Sequence, residues 1–155
     1  MKALDLAKGI INHCLESGYP ISNLSLQKIL YLSNNFYIIN TGNFLIDDEN
    51  FYAWKFGPVI PSVYKQYAFY AGDKFLIPED GAINFNDTLE FKDKSDLLER
   101  FLGFVRYCAN QAPWDLVKYT HKVGGAWDKV FDKGVGVGRL IPKEYIEQEA
   151  NSFKD

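Results

Sequence analysis

Apolar residues recur at helical spacing along most of this chain, and glycines and prolines mark where the pattern stops. Over residues 3–16, Leu4, Ala7, Ile11, Cys14 and Leu15 repeat at intervals that place them on one side of a helix. Gly18 and Pro20 end that segment. Ser22 then stands where an N-cap is wanted, and a second helix is expected over about 23–41, stopping at Gly42. Leu26, Ile29, Leu30, Phe36 and Tyr37 fall on one side of it, while Tyr31, Leu32, Ile38 and Ile39 leave it little polar surface. A helix apolar nearly all round is covered on most sides, so this one should be central. Further helices are expected from Pro61 to Ala71, from a Ser95 cap to about Ala109, from Pro113 to Tyr119, over 126–131, and from Pro142 to about Asn151. Between them, Ile83-Asn84-Phe85 and Leu89-Glu90-Phe91 alternate with period two, which suggests a short β-hairpin or edge pair around 83–91. The expected fold is mainly α: a single compact helical domain spanning 1–155, with a minor β element.

One stretch does not follow the helical pattern. Phe51-Tyr52-Ala53-Trp54-Lys55-Phe56 packs aromatics closely together, and Gly57-Pro58-Val59-Ile60-Pro61 follows. A residue before proline is pushed out of the helical region, so Gly57 should be extended or turned. Pro61 suits a first helical turn, where its missing N–H costs nothing. The reading is an extended aromatic arm, a sharp corner and a helix start carrying Val63, Tyr64 and Tyr67. Trp54 is expected to hold that corner from inside the fold. Nothing in the stretch pairs residues as a catalytic site would.

Composition narrows the function. Aromatics make up 16% of the chain, an excess that serves cores and protein interfaces alike. A net charge of −3, with no long basic run, argues against a nucleic-acid-binding surface. Asp5 and Lys8 interrupt any signal-peptide core, and the uncharged run Ile29–Ile46 is broken by Ser33, Asn34, Asn35, Asn40, Thr41, Gly42 and Asn43. A cytoplasmic location without a membrane partner is therefore expected.

Candidate chemistry is sparse. His13, Cys14, Cys108 and His121 are the only soft metal ligands, and none shares the short paired spacing of a zinc site, so no metal or cofactor is expected. Cys108 could pair with His121 only through space, and its apolar helical surroundings favour burial. Gly134-Val135-Gly136-Val137-Gly138 looks like a phosphate loop but lacks the strand before and the helix directly after, and is read as a mobile connector. Thr120-His121-Lys122-Val123-Gly124-Gly125-Ala126-Trp127 reads as a capped helix end followed by a tryptophan plugging the core.

Taken together, Leu26-Gln27-Lys28-Ile29-Leu30-Tyr31, Thr41-Gly42, Ala53-Trp54 through Gly57-Pro58-Val59-Ile60-Pro61-Ser62-Val63-Tyr64, Thr120-His121 with Trp127, and Ile141-Pro142 resemble the Panacea antitoxin domain, a family of SocA-like and phage-associated proteins. The order matches over nearly the whole chain, and the Trp…Gly-Pro-Val signature is its specific part. Gly124-Gly125-Ala126 depart from it, standing where a proline often precedes the tryptophan. The resemblance implies a non-enzymatic antitoxin that neutralises a cognate protein toxin, encoded by the adjacent gene, by direct binding. It places the motif, and with it a partner-binding surface, on Gln27, Lys28, Tyr31, Trp54, Lys55, Gly57, Pro58, Val59, Tyr64, Thr120, His121 and Trp127. The alternatives are another phage-associated interaction protein or an adaptor delivering a partner to a protease. A transcriptional regulator or a small enzyme using His121 ranks below both.

Overall fold

The structure is a computed structural model and describes residues 1–154. Its longest helix organises the rest. Helix α1 (Ala3–Glu16) leads into α2 (Asn23–Thr41), whose first turn is capped by the Ser22 hydroxyl accepting the Ser25 N–H. At the other end the Gly42 N–H donates to the Ile38 carbonyl at 2.7 Å and the chain turns away. As its all-round apolar pattern requires, α2 packs against α1, α4 (Ser95–Ala109), α5 (Pro113–Thr120) and α7 (Lys143–Ser152). Leu26, Ile29, Leu30, Tyr31 and Ile38 are fully buried there. Beside them a phenylalanine cluster closes the core, with Phe91 stacked on Phe101 at 4.9 Å and Phe85 edge-on to both.

The β structure lies elsewhere than the alternation at 83–91 suggested. The aromatic arm itself folds back as an antiparallel pair, β1 (Tyr52–Trp54) with β2 (Gly57–Val59), turning at Lys55-Phe56. Residues 83–91 form turns instead. The Asn84 side chain accepts the Asn86 N–H, winding Phe85–Asp87 into a 3-10 turn, and the Lys92 N–H returns to Thr88. This side-chain competition for backbone donors defeats the strand pattern, although Phe85 and Phe91 still reach the core.

Two boundaries and the role of one loop also differ. The helix opened by Pro61, α3 (Pro61–Gln66), stops five residues before Ala71, because Tyr67 leaves helical geometry to bury its ring against Phe75 and Tyr70; a 3-10 turn follows over Ala68–Tyr70. Ser95 is the first helical residue of α4 rather than its cap, and no side chain caps that end. The glycine-rich loop after α6 (Ala126–Phe131) is more than a connector. Its end runs beside β1, with the Ala53 N–H donating to Arg139, Gly138 to Ala53 and Ile141 to Phe51, at 2.7–2.8 Å. A Cβ at Gly136 would lie 1.7 Å from the Val130 carbonyl oxygen, so only glycine fits that approach.

Candidate functional site

The signature residues from distant parts of the chain converge where α2, the hairpin and α5 meet, and most of their polar groups are spent there. Gln27 spans two elements: its amide donates to Asn23 Oδ1 at 3.1 Å and its carbonyl accepts the Ile60 N–H at 3.1 Å. That bond holds the start of α3 against α2. Asn23 in turn donates to the Tyr64 carbonyl at 3.1 Å. Lys28 has no exposed surface, and its Nζ donates to the Pro58 carbonyl at 2.8 Å. Burial without a carboxylate partner favours the neutral amine and lowers its pKa to about 7. Tyr31, equally buried, donates its phenolic hydrogen to Glu149 on α7, whose carboxyl is pushed upward chiefly by its own burial.

Gly57 makes this convergence sterically feasible. Its φ of +114° is a conformation L side chains rarely adopt, and a Cβ there would lie 2.8 Å from Thr120 Oγ1 and 3.0 Å from Lys28 Cε. Thr120 is buried and bonds back to the Val117 carbonyl. His121, half-buried at the end of α5, stacks flat on Trp127 at 3.6 Å between ring centres. Burial first, and the nearby Lys28 second, lower its pKa. The indole N–H of Trp127 donates to the Trp54 carbonyl at 2.8 Å, pinning α6 to the hairpin.

Thus Gln27, Lys28, Tyr31, Gly57, Pro58, Val59, Thr120 and Trp127 lie inside the fold, and they are not themselves an open surface of the free chain. Gln27, Lys28 and Trp127 each bond a backbone group far away in the chain, and Tyr31 a distant carboxylate, pairings that spacing alone does not reveal. Trp54 also differs from expectation. Its backbone carbonyl takes the structural bond, while its ring is half-buried and packs edge-on against Tyr64 at 5.0 Å. Lys55 and Tyr64 are exposed.

Those three, with Phe56, Val59 and Trp114, border a groove of about 470 Å³ floored by Asn23, Gln27 and Lys28. Phe56 and Trp114 meet edge-on at 5.2 Å and are 45% and 55% exposed, which leaves two large rings available on the rim. Trp114, directly after Pro113, and Glu149, on the helix face shared with Ile146 and Ala150, were not among the expected site residues. For Glu149 the only sequence signal is that three-and-four spacing.

Nothing gathers for metal chemistry: the described residues contain no group of three His, Cys, Asp or Glu side chains able to hold an ion. Cys14 and Cys108 are buried free thiols, each raised to about 12 by desolvation, which disfavours the nucleophilic thiolate. No helix among the described residues is long and apolar enough to cross a membrane.

Architecture and site together define a helical scaffold whose signature polar groups hold its own elements in register. It belongs to the SocA-like antitoxin family: the model described as "Antitoxin SocA-like, Panacea domain" matches residues 26–128. Antitoxin SocA of Caulobacter vibrioides (strain NA1000 / CB15N) is 31% identical over 135 residues, covering 83% of this chain and 71% of that protein. No solved structure matches the chain.

Proposed function

We propose that this chain neutralises a cognate protein toxin, the product of a neighbouring gene, by binding it directly and without catalysing a reaction. The observation that carries this reading is how the signature residues are used. Gln27, Lys28, Tyr31, Thr120 and Trp127 make internal bonds, while the aromatic rim of Trp54, Phe56, Tyr64 and Trp114 stays open beside Lys55. Exposed Trp, Tyr and Phe side chains grouped on a rigid rim have the make-up of interface anchors. The buried members act as scaffold, holding the hairpin so that the rim keeps its shape. Membership in an antitoxin family supplies the class of partner.

The test is growth. Each gene flanking this one is induced alone and together with this chain. A neighbour that arrests growth alone and is relieved by this chain supports the proposal. Arrest that persists with the chain well expressed, or harmless neighbours on both sides, counts against it. Carrying Phe56→Ala and Trp114→Ala through the same assay asks whether the rim is the contact.

A further inference from the structure

A second groove, of about 520 Å³, lies at the opposite end of α5 from Trp114. Its walls are almost wholly apolar: Leu32, Phe36 and Ile39 from successive turns of α2, Phe104 and Tyr107 from α4, and Phe153 after α7. Although α2 is apolar nearly all round, Leu32, Phe36 and Ile39 on this side of it are left partly exposed by the elements among the described residues. Phe36 stacks on Phe104 at 5.1 Å, which builds one continuous aromatic wall, and Tyr107 is 56% exposed. An open trough between helices, lined at three-and-four spacing, has the form that receives the apolar face of an amphipathic helix.

Charge selects among such helices. Lys118, on α5, and Lys122, just after it, stand on the rim; Lys118 is 81% exposed and lies 4.0 Å from Asp115, which is not among the lining residues. Lys122 sits 4.1 Å above the Phe153 ring, so its cation is held at the edge of the apolar wall. The only carboxylate among the lining residues is Glu149, which is buried and already accepts the Tyr31 hydroxyl. The lining residues therefore carry two lysines and no exposed acid, and the loose 4.0 Å pairing of Lys118 with Asp115 outside the groove offsets only one of them. Asn35, 4% exposed, also lines the groove, and its Oδ1 is buried without a donor. A Ser, Asn or Gln on the occupant could supply one.

We infer that this groove is a docking site for an amphipathic helix with an apolar face and acidic flanks. The inference rests on the antitoxin reading in one respect, that the helix belongs to the neutralised toxin.

The probe is a labelled sixteen-residue helical peptide with Leu on one face, Glu on both flanks and one Asn, compared with its twin carrying Lys for Glu. Anisotropy should show the acidic peptide binding the wild-type chain and weakening as salt is raised. The Lys118→Glu/Lys122→Glu variant, altered only on the rim, should lose about tenfold for the acidic peptide and gain for its twin. Tyr107→Ala should weaken both, and matching melting temperatures would show that the variants are folded. Equal binding of the two peptides, no binding of either, or no effect of the charge reversal overturns the inference. So does displacement of the acidic peptide by dodecanoate at stoichiometric concentration, which marks a lipid site, or a dimer in sedimentation that the charge reversal or Tyr107→Ala dissolves, which marks a self-interface. In cells the two readings separate. A wild-type chain that fails to relieve toxicity sinks the antitoxin reading whatever the peptides do. Unimpaired relief by the charge-reversed chain sinks only the groove.

Discussion

Replacing Lys28 by methionine keeps the length of a fully buried side chain and removes its titrating group. In the wild-type protein the amine is neutral above a pKa of about 7, against an ordinary value of 10.5. Between those values the unfolded chain carries a proton that the folded chain does not, so stability rises with pH. One proton of difference is worth about 1.4 kcal/mol per pH unit, and because the folded amine is half protonated at pH 7 the gain between pH 7 and 9 is roughly 2 kcal/mol. Below pH 7 both states are protonated and the folded state bears the whole cost of burying the charge. Other groups oppose the trend at the alkaline end: Cys14, Cys108, Tyr31 and Tyr67 all have raised pKa values and lose stabilising protons only on unfolding. The informative quantity is therefore the difference between Lys28→Met and wild type. Urea unfolding at pH 7, 8 and 9 should show the variant's relative stability falling by about 2 kcal/mol across that window. A flat difference curve would refute the claim that Lys28 is buried without a counter-charge.

Gly57→Ala adds positive-φ strain to a 2.8 Å clash with Thr120, and should cost about 2–5 kcal/mol, seen as a melting temperature lowered by roughly 5–15 °C. An unchanged melting temperature would show that the hairpin corner yields. Tyr31→Phe leaves the buried Glu149 without its hydroxyl donor and should destabilise by about 1–3 kcal/mol in urea unfolding. Adding Glu149→Gln should recover part of that loss, and strict additivity of the two changes would break the argument for the pair. Trp54→Ala removes a half-buried ring but keeps the carbonyl that Trp127 uses, so it should cost only about 1–2 kcal/mol while weakening toxin binding. A loss of 4 kcal/mol or more, roughly that of a core aromatic, would return Trp54 to the interior.

Much of the fold was legible because helices announce themselves through local spacing. The breadth of apolar residues around α2 pointed to its central position, and Pro61, Pro113 and Gly42 mark real boundaries. The β element was misplaced because alternation at 83–91 carries no information about the Asn84 side chain competing for backbone donors. The arm's hairpin was hidden for the opposite reason. Its pairing depends on Gly57 at positive φ and on the distant strand-like run Gly138–Ile141, neither of which shows in periodicity. The burial of Trp127 was expected, but that of the polar motif residues was not. Gln27 and Lys28 look like surface residues on a helix until Ile60 and Pro58, some thirty positions later, arrive to bond them. Polar residues on an otherwise apolar helix were the available clue.

Direct, non-catalytic neutralisation can be put to the test by mixing the purified chain with the toxin that the growth assay identifies. The two should form a stable complex in gel filtration, and the Phe56→Ala/Trp114→Ala variant should form it more weakly while melting close to wild type. After separation in denaturant and refolding, the toxin should have its original mass and full activity. A toxin silenced without forming a complex, or recovered covalently altered or cleaved, would contradict the account and point to chemistry in place of binding.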